Sequence, residues 1–326
     1  MSRRSESALR AQLTDPRRLR QLALLGVFGA LIYLIATLAL DRVLLVEGLK
    51  RITLWQWGVL LFLSLINYLL RYWRWRIYIM RNAPDQGYLG LSETRHLLIY
   101  FAGFALTVTP GKAGEALRSL YLHKFGVPWA RSIVALLMER LLDLMVLATL
   151  ALGYFKAIIG GLGSLSLLLI ALTLILFILY SPMLSEYFMP RFLGKRLNSR
   201  IDLVLVEARA ITSPALFGVG FSLGVLAWGA EAVGFFFLLS WVGLPLDFFE
   251  AFGIYAGSLV VGALSFLPGG IGGAEAAMTA LLKLQGASIS MALMLTLVCR
   301  LVTLWFSVLL GLIAVGFLEK NAIGKD

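Results

Sequence analysis

The sequence has 326 residues, 60% of them hydrophobic and only 14% charged, with a net charge of +11 and a mean hydropathy of +0.87. A soluble domain carries about 25% charged residues, so this is the composition of an integral membrane protein, with no stretch polar enough to fold as a separate catalytic domain in water. The single Cys299 excludes an internal disulfide, and His96 and His123 alone supply no metal-ligand spacing, so neither a metal nor another cofactor is expected.

In chain order, residues 1–20 carry Arg3, Arg4, Arg10, Arg17, Arg18 and Arg20 and read as a basic segment on the cytoplasmic side, not as a nucleic-acid-binding arm. The apolar run 22–40 is too long for a cleaved signal and lacks a small-residue cleavage site, so it is read as the first span. Further full spans are expected at 54–79, 129–155, 165–181, 214–242 and 290–318. Between them lie two compound apolar segments, 92–123 and 248–284, each interrupted by proline and glycine. Neither half of a compound segment crosses a core of about 30 Å comfortably, because about 15 helical residues rise only about 22 Å. Each is therefore read as a re-entrant hairpin, and residues 21–318 as one transmembrane domain followed by a short cytoplasmic tail, 319–326.

The two interruptions repeat one another. Pro110-Gly111-Lys112-Ala113-Gly114-Glu115 has its counterpart in Pro268-Gly269-Gly270-Ile271-Gly272-Gly273-Ala274-Glu275, and each is followed 25 residues after its glutamate by an arginine, Arg140 or Arg300. Helix breaks at membrane depth are tolerated where the backbone lines a cavity or is buried in protein, so a matched pair in two halves points to a binding site. Basic residues fix the orientation. With the amino terminus inside, Arg71 to Arg81, the Lys124–Arg131 loop and the linker 182–213 all fall on the cytoplasmic face. Repeat one, about 54–155, then starts outside and repeat two, about 214–318, starts inside. The expected fold is all-α and polytopic, with about six full spans and two re-entrant broken-helix hairpins arranged as inverted repeats. The linker reads as an interfacial helix or as a solvated surface loop.

Ionisable groups in a bilayer are costly unless paired or wetted and are candidates for function. They are Glu115, Glu139, Arg140, Asp143, Glu231, Glu275 and Arg300, with Lys112 and Arg118 near the first hairpin. Asn67 and Arg71 lie one turn apart, and Glu139 and Asp143 share a helix face. Two readings remain open. In one, Glu115 pairs with Arg140 and Glu275 with Arg300, holding each hairpin to its span. In the other, a lipid phosphate sits between the hairpin tips with an arginine as counter-ion, while a glutamate holds a cationic head group or a coupling proton. Lys112 has no equivalent in the second motif, where Gly270 stands, so the site should be asymmetric in charge. Tyr72, Trp73, Trp75 and Tyr78 with their interleaved arginines read as an interfacial aromatic belt, and both histidines as interfacial residues. The hairpin glycines Gly103, Gly257 and Gly262 read as packing positions.

These residues carry a family resemblance. The run Asn67-Tyr68-Leu69-Leu70-Arg71-Tyr72-Trp73-Arg74-Trp75, the Thr109–Glu115 block, Glu139-Arg140-Leu141-Leu142-Asp143 and the Leu267–Glu275 block resemble the lysylphosphatidylglycerol synthase transmembrane-region family over about residues 20–318. That family includes the flippase half of the multiple peptide resistance factor. The resemblance implies a bacterial inner-membrane or archaeal cell-membrane protein that moves or handles lipids, with paired re-entrant helices around a lipid cavity; the basic residues are what place both termini on the cytoplasmic side. Bifunctional members add a cytosolic aminoacyl-transferase domain that this sequence does not show, so synthesis is not the expected activity. The expected function is a lipid flippase or scramblase whose partners are membrane lipids, an anionic phospholipid or a glycolipid, in a chain that can also form a homo-oligomer. A membrane-embedded lipid-modifying transferase using Glu115 with Glu139 or Asp143, a scaffold of envelope-lipid biosynthesis and a small-solute transporter are the alternatives.

Overall fold

The computed structural model describes residues 52–81, 90–107, 113–159, 204–211, 213–265 and 267–323, with isolated positions 50, 83, 88, 166, 169, 172 and 173. Within its helices the side chains of 113–116, 153, 155–159, 268 and 321–323 lie outside that description. The expected span 22–40, most of 165–181, most of the linker and the first interruption from Pro110 to Lys112 therefore fall outside the described residues.

All described elements are helical: α1 (Leu54–Met80), α2 (Glu93–Ala102) running into a 3-10 turn (Gly103–Leu106), α3 (Ala113–His123), α4 (Trp129–Ile159), α5 (Pro214–Trp241), α6 (Phe248–Leu264), α7 (Gly273–Leu284), α8 (Ile289–Arg300), a π-helical turn (Leu301–Trp305) and α9 (Phe306–Ile323). Among the described residues three stretches are long and apolar enough to cross a membrane: α1, α5 and the continuous run Ile289–Lys320. The sequence encodes where these helices start. Thr53 and Gln56 form a capping box on α1, with Thr53 N donating to Gln56 Oε1 at 2.8 Å. Ser213 precedes Pro214 at the start of α5, and Asp247 with Glu250 caps α6.

The backbone of the second interruption is described from Leu267 onward. After α6 ends, the chain passes through the 3-10 turn Pro268–Gly270, where Gly269, Gly270 and Gly272 have φ of 61°, 68° and 88°. These left-handed values are open to glycine at no steric cost and stop a helix from continuing. The chain then returns as α7 against α6, backbone close to backbone: a Cβ on Gly262 would come within 2.7 Å of Ala274 Cβ. At 17 and 12 residues, α6 and α7 rise about 25 Å and about 18 Å.

One offset runs through the molecule. The caps Thr53 and Ser213, the left-handed turn glycines Gly126 and Gly286, and the first residues of α4 and α8, Trp129 and Ile289, are all 160 positions apart (213 − 53, 286 − 126, 289 − 129). The packing follows the same offset. α1 and α5, equivalent in numbering, lie along each other; α4 lies along α6, and α9 along α2 and its 3-10 turn. Glycine permits the closest approaches. Gly253 of α6 abuts the Tyr154 ring stem of α4, and a Cβ on Gly311 of α9 would run into the Phe104 and Ala105 backbone.

Candidate functional site

The polar centre of the molecule is built on α1. Ser64, Asn67, Tyr68, Arg71, Tyr72, Arg74, Trp75 and Tyr78 are all buried, a broad stripe because α4, α5 and α2 pack around that helix. Here the belt reading is corrected. Of its four aromatics only Trp73 faces outward, at 56% exposure, whereas Tyr72, Trp75 and Tyr78 are interior. Helical periodicity explains the split: 68, 71, 72, 75 and 78 fall on one side, and 73 on the other. His96 is likewise buried in the protein, edge-on to Tyr72.

Glu139 and Asp143, one turn apart on α4, anchor the cluster. Arg71 Nη2 donates to Glu139 Oε1 at 3.0 Å and stands 3.1 Å from Asp143 Oδ2. Arg74 pairs with Asp143 Oδ1. Arg118 reaches Glu139 Oε2 from α3 at 3.1 Å and donates from Nε to the Tyr100 carbonyl at 3.0 Å. The Tyr100 hydroxyl donates to Glu139 Oε1, and Trp228 Nε1 of α5 donates to Asp143 Oδ1, each at 3.0 Å. Arg140 closes the set from the same helix, 3.4 Å from Glu139 and 3.9 Å from Asp143. Aromatic faces hold the guanidinium groups: Arg118 lies 4.0 Å above the Tyr100 ring, also near Trp75 and Phe104, and Arg71 lies 5.0 Å above Trp228.

Among the described residues Arg71, Arg74 and Arg118 are buried against two carboxylates, Glu139 and Asp143, with Arg140 beside them at the edge, its side chain 31% exposed. Arg71 Nε and Arg74 Nε and Nη1 have no acceptor among the described residues, nor has either polar atom of the fully buried Asn67 a partner. A buried guanidinium costs several kcal/mol unless its charge and donors are met.

The second half is arranged differently. Arg300 Nε donates to Glu275 Oε1 at 2.6 Å and Nη2 to the Gly269 carbonyl at 2.9 Å, so the expected Glu275–Arg300 pair forms and fastens the α6–α7 break to α8. Glu275 Oε2 also accepts from Gly272 N at 2.6 Å, capping its own helix. Immediately after Arg300 the π-helical turn shifts the hydrogen-bond ladder, and the Tyr68 hydroxyl donates to the Val302 and Thr303 carbonyls there. Trp228–Asp143 joins the equivalent positions at the 160 offset, since 228 − 68 and 303 − 143 agree, with a side-chain carboxylate as acceptor in place of a main-chain carbonyl. Glu231, which stands at the offset from Arg71, accepts from the Tyr255 hydroxyl of α6.

Of the residues expected from sequence, Arg71, Glu139, Arg140 and Asp143 meet in one cluster, with Asn67 one turn away; Glu275 with Arg300, and Glu231, sit apart from it. Pro110, Gly111 and Lys112 lie outside the described residues; Gly114 and Glu115 belong to α3, but the Glu115 side chain lies outside them, so its pairing with Arg140 is not seen. Sequence reasoning missed Arg74, Tyr100, Trp228 and Tyr255. The signal for Arg74 is its place one turn from Arg71 and Tyr78; the other three look like ordinary span aromatics.

The fold and this buried cluster define a helical membrane protein with a polar core. A model of the lysylphosphatidylglycerol synthase TM region matches residues 19–311, and the chain belongs to that family. It is similar to a UPF0104 membrane protein of Methanothermobacter thermautotrophicus, 31% identical over 121 residues, which are 37% of this chain and 36% of that one. It is also similar to a UPF0104 membrane protein of Pyrococcus horikoshii, 30% identical over 86 residues, 26% of each. The chain thus spans about a third and about a quarter of the length of these two relatives.

Proposed function

We propose that the protein translocates a phosphate-bearing lipid across the bilayer, as a flippase or scramblase. The observation that carries this reading is a set of unused donors: Arg71, Arg74 and Arg118 are buried against Glu139 and Asp143, and Arg71 Nε and Arg74 Nε and Nη1 have no acceptor among the described residues, which makes a site for an anion. Guanidinium groups bind phosphate bidentately, and the aromatic faces keep them in place without neutralising them. The head group enters beside Arg140 and its phosphate takes up the unused arginine donors, while the acyl chains stay in the bilayer. Glu275 and Arg300 fasten the other hairpin and do not bind cargo, so the two halves serve different roles. The 160-residue offset and the reciprocal packing support two related halves, and the placement of the basic residues supports their inversion with two re-entrant hairpins, an architecture in which broken helices meet at a midplane site.

The test is reconstitution into liposomes with head-group-labelled anionic, zwitterionic and glycosylated lipids, each quenched chemically from one face. Phosphate-bearing lipids should cross, and Arg140→Gln should slow them about tenfold to a hundredfold while the fold persists, the loss of one charge-assisted hydrogen bond or two. Folded wild-type protein that moves none of the three classes would overturn the reading.

A further inference from the structure

We propose that Glu231 is a proton-binding site, a carboxyl that alternates between acid and carboxylate as the protein works. Glu231 lies on α5 and is 5% exposed. It lines a small cavity between α1, α5 and the α8 end with Ser64, Phe235, Cys299 and Thr303. Its side chain accepts from the Tyr255 hydroxyl and forms no ion pair among the described residues. The charged groups acting on it through space are Arg71 of α1, Arg300 of α8 and Asp143 of α4; the neutral titratable groups facing it are Tyr255 of α6, Tyr68 of α1 and Cys299 of α8.

Both nearby cations form their ion pairs with other carboxylates. Arg71 is held by Glu139 and Asp143, and Arg300 by Glu275 and the Gly269 carbonyl. A buried carboxylate without a cation of its own bears the full cost of desolvation, and taking up one proton from water removes that cost. The cavity and the Tyr255 hydroxyl make both forms tenable: the hydroxyl donates to the carboxylate, and the acid can donate in turn to an oxygen lining the cavity, such as Ser64 or Thr303. Protonation also changes the charge facing Arg71 across α1 and α5, the helix pair that joins the two halves. If the transport reading above holds, this proton is the coupling ion, but its binding does not depend on that reading.

Infrared difference spectroscopy of the full chain in nanodiscs tests it without any transported lipid. The expected result is a carbonyl-stretch band of a protonated carboxylic acid that titrates with pH, is lost in Glu231→Gln and shifts in Tyr255→Phe, which keeps the carboxyl but removes its donor. Identical carboxyl bands in wild type and Glu231→Gln at every pH where both are folded would overturn the proposal. So would removal of the band by sodium at constant pH, which would make the site one for a metal cation. The band reports on Glu231 whether or not any lipid crosses, so failure of the flippase reading and failure of this one are separable.

Discussion

Glu139 is the residue on which the cluster turns. It has no exposed surface and accepts from Arg71, Tyr100, Arg118 and Arg140, so it neutralises charges arriving from α1, α3 and its own helix. Replacing it by Gln keeps the volume and part of the hydrogen bonding but leaves those arginines one negative charge poorer. Breaking a buried ion pair by removing one partner costs about 3–5 kcal/mol, because the remaining charge is stranded. Glu139→Gln should therefore lower the thermal unfolding midpoint in detergent markedly. Arg76→Gln, which breaks an exposed pair with Glu93 at the edge of the fold, should change stability by about 1 kcal/mol or less. Equal effects of the two variants would mean that the cluster is wet and does not bear on the fold.

At the scale of elements, contact geometry makes a sharper distinction than burial. A Cβ on Gly311 would collide with the Phe104–Ala105 backbone, which cannot swing aside as a side chain can, whereas Gly229 of α5 has nothing within 4 Å of its missing Cβ. Gly311→Ala should destabilise by about 1–3 kcal/mol through overpacking. Gly229→Ala should be neutral or stabilising by up to about 1 kcal/mol, since Ala is the better helix former. Parallel melts of the two variants decide this; a tolerated Gly311→Ala would mean that α9 and the 3-10 turn after α2 do not pack as closely as described. These elements were largely legible in the sequence. The spans 54–79 and 214–242 and the break at Pro268–Gly273 appear within a residue or two of their expected places, because caps, glycines and apolar run lengths are local signals. The inward turn of Arg74, Trp75 and Tyr78 was not legible from composition. Arginine interleaved with aromatics has the same makeup in a belt and in a buried polar core, and what separates them is how many helices surround α1. Tyr100, Trp228 and Tyr255 join the site through contacts across 24 to 85 residues, and no local pattern announces such contacts.

The whole molecule poses the question of handedness across the membrane. Two halves related by one numbering offset pack reciprocally, α4 on the first hairpin arm of the second half and α9 on that of the first, with Tyr68 and Trp228 reaching across at matched positions. Parallel repeats and inverted repeats both give matched contacts. The distribution of basic residues favours inversion, because it keeps every strongly basic loop on one face. Inversion makes a definite prediction for the turns after the hairpins, which contain Gly126 and Gly286 and share the same left-handed conformation. Lys124 and Lys283 are both exposed beside those turns, and the buried Cys299 can be replaced by alanine to give a cysteine-free background. In that background Lys124→Cys should react with a membrane-impermeant thiol reagent only from the cytoplasmic face, and Lys283→Cys only from the opposite face. Reaction of both from one face would make the repeats parallel, place both hairpin tips at one depth from the same side, and remove the midplane meeting of broken helices on which a translocation path depends.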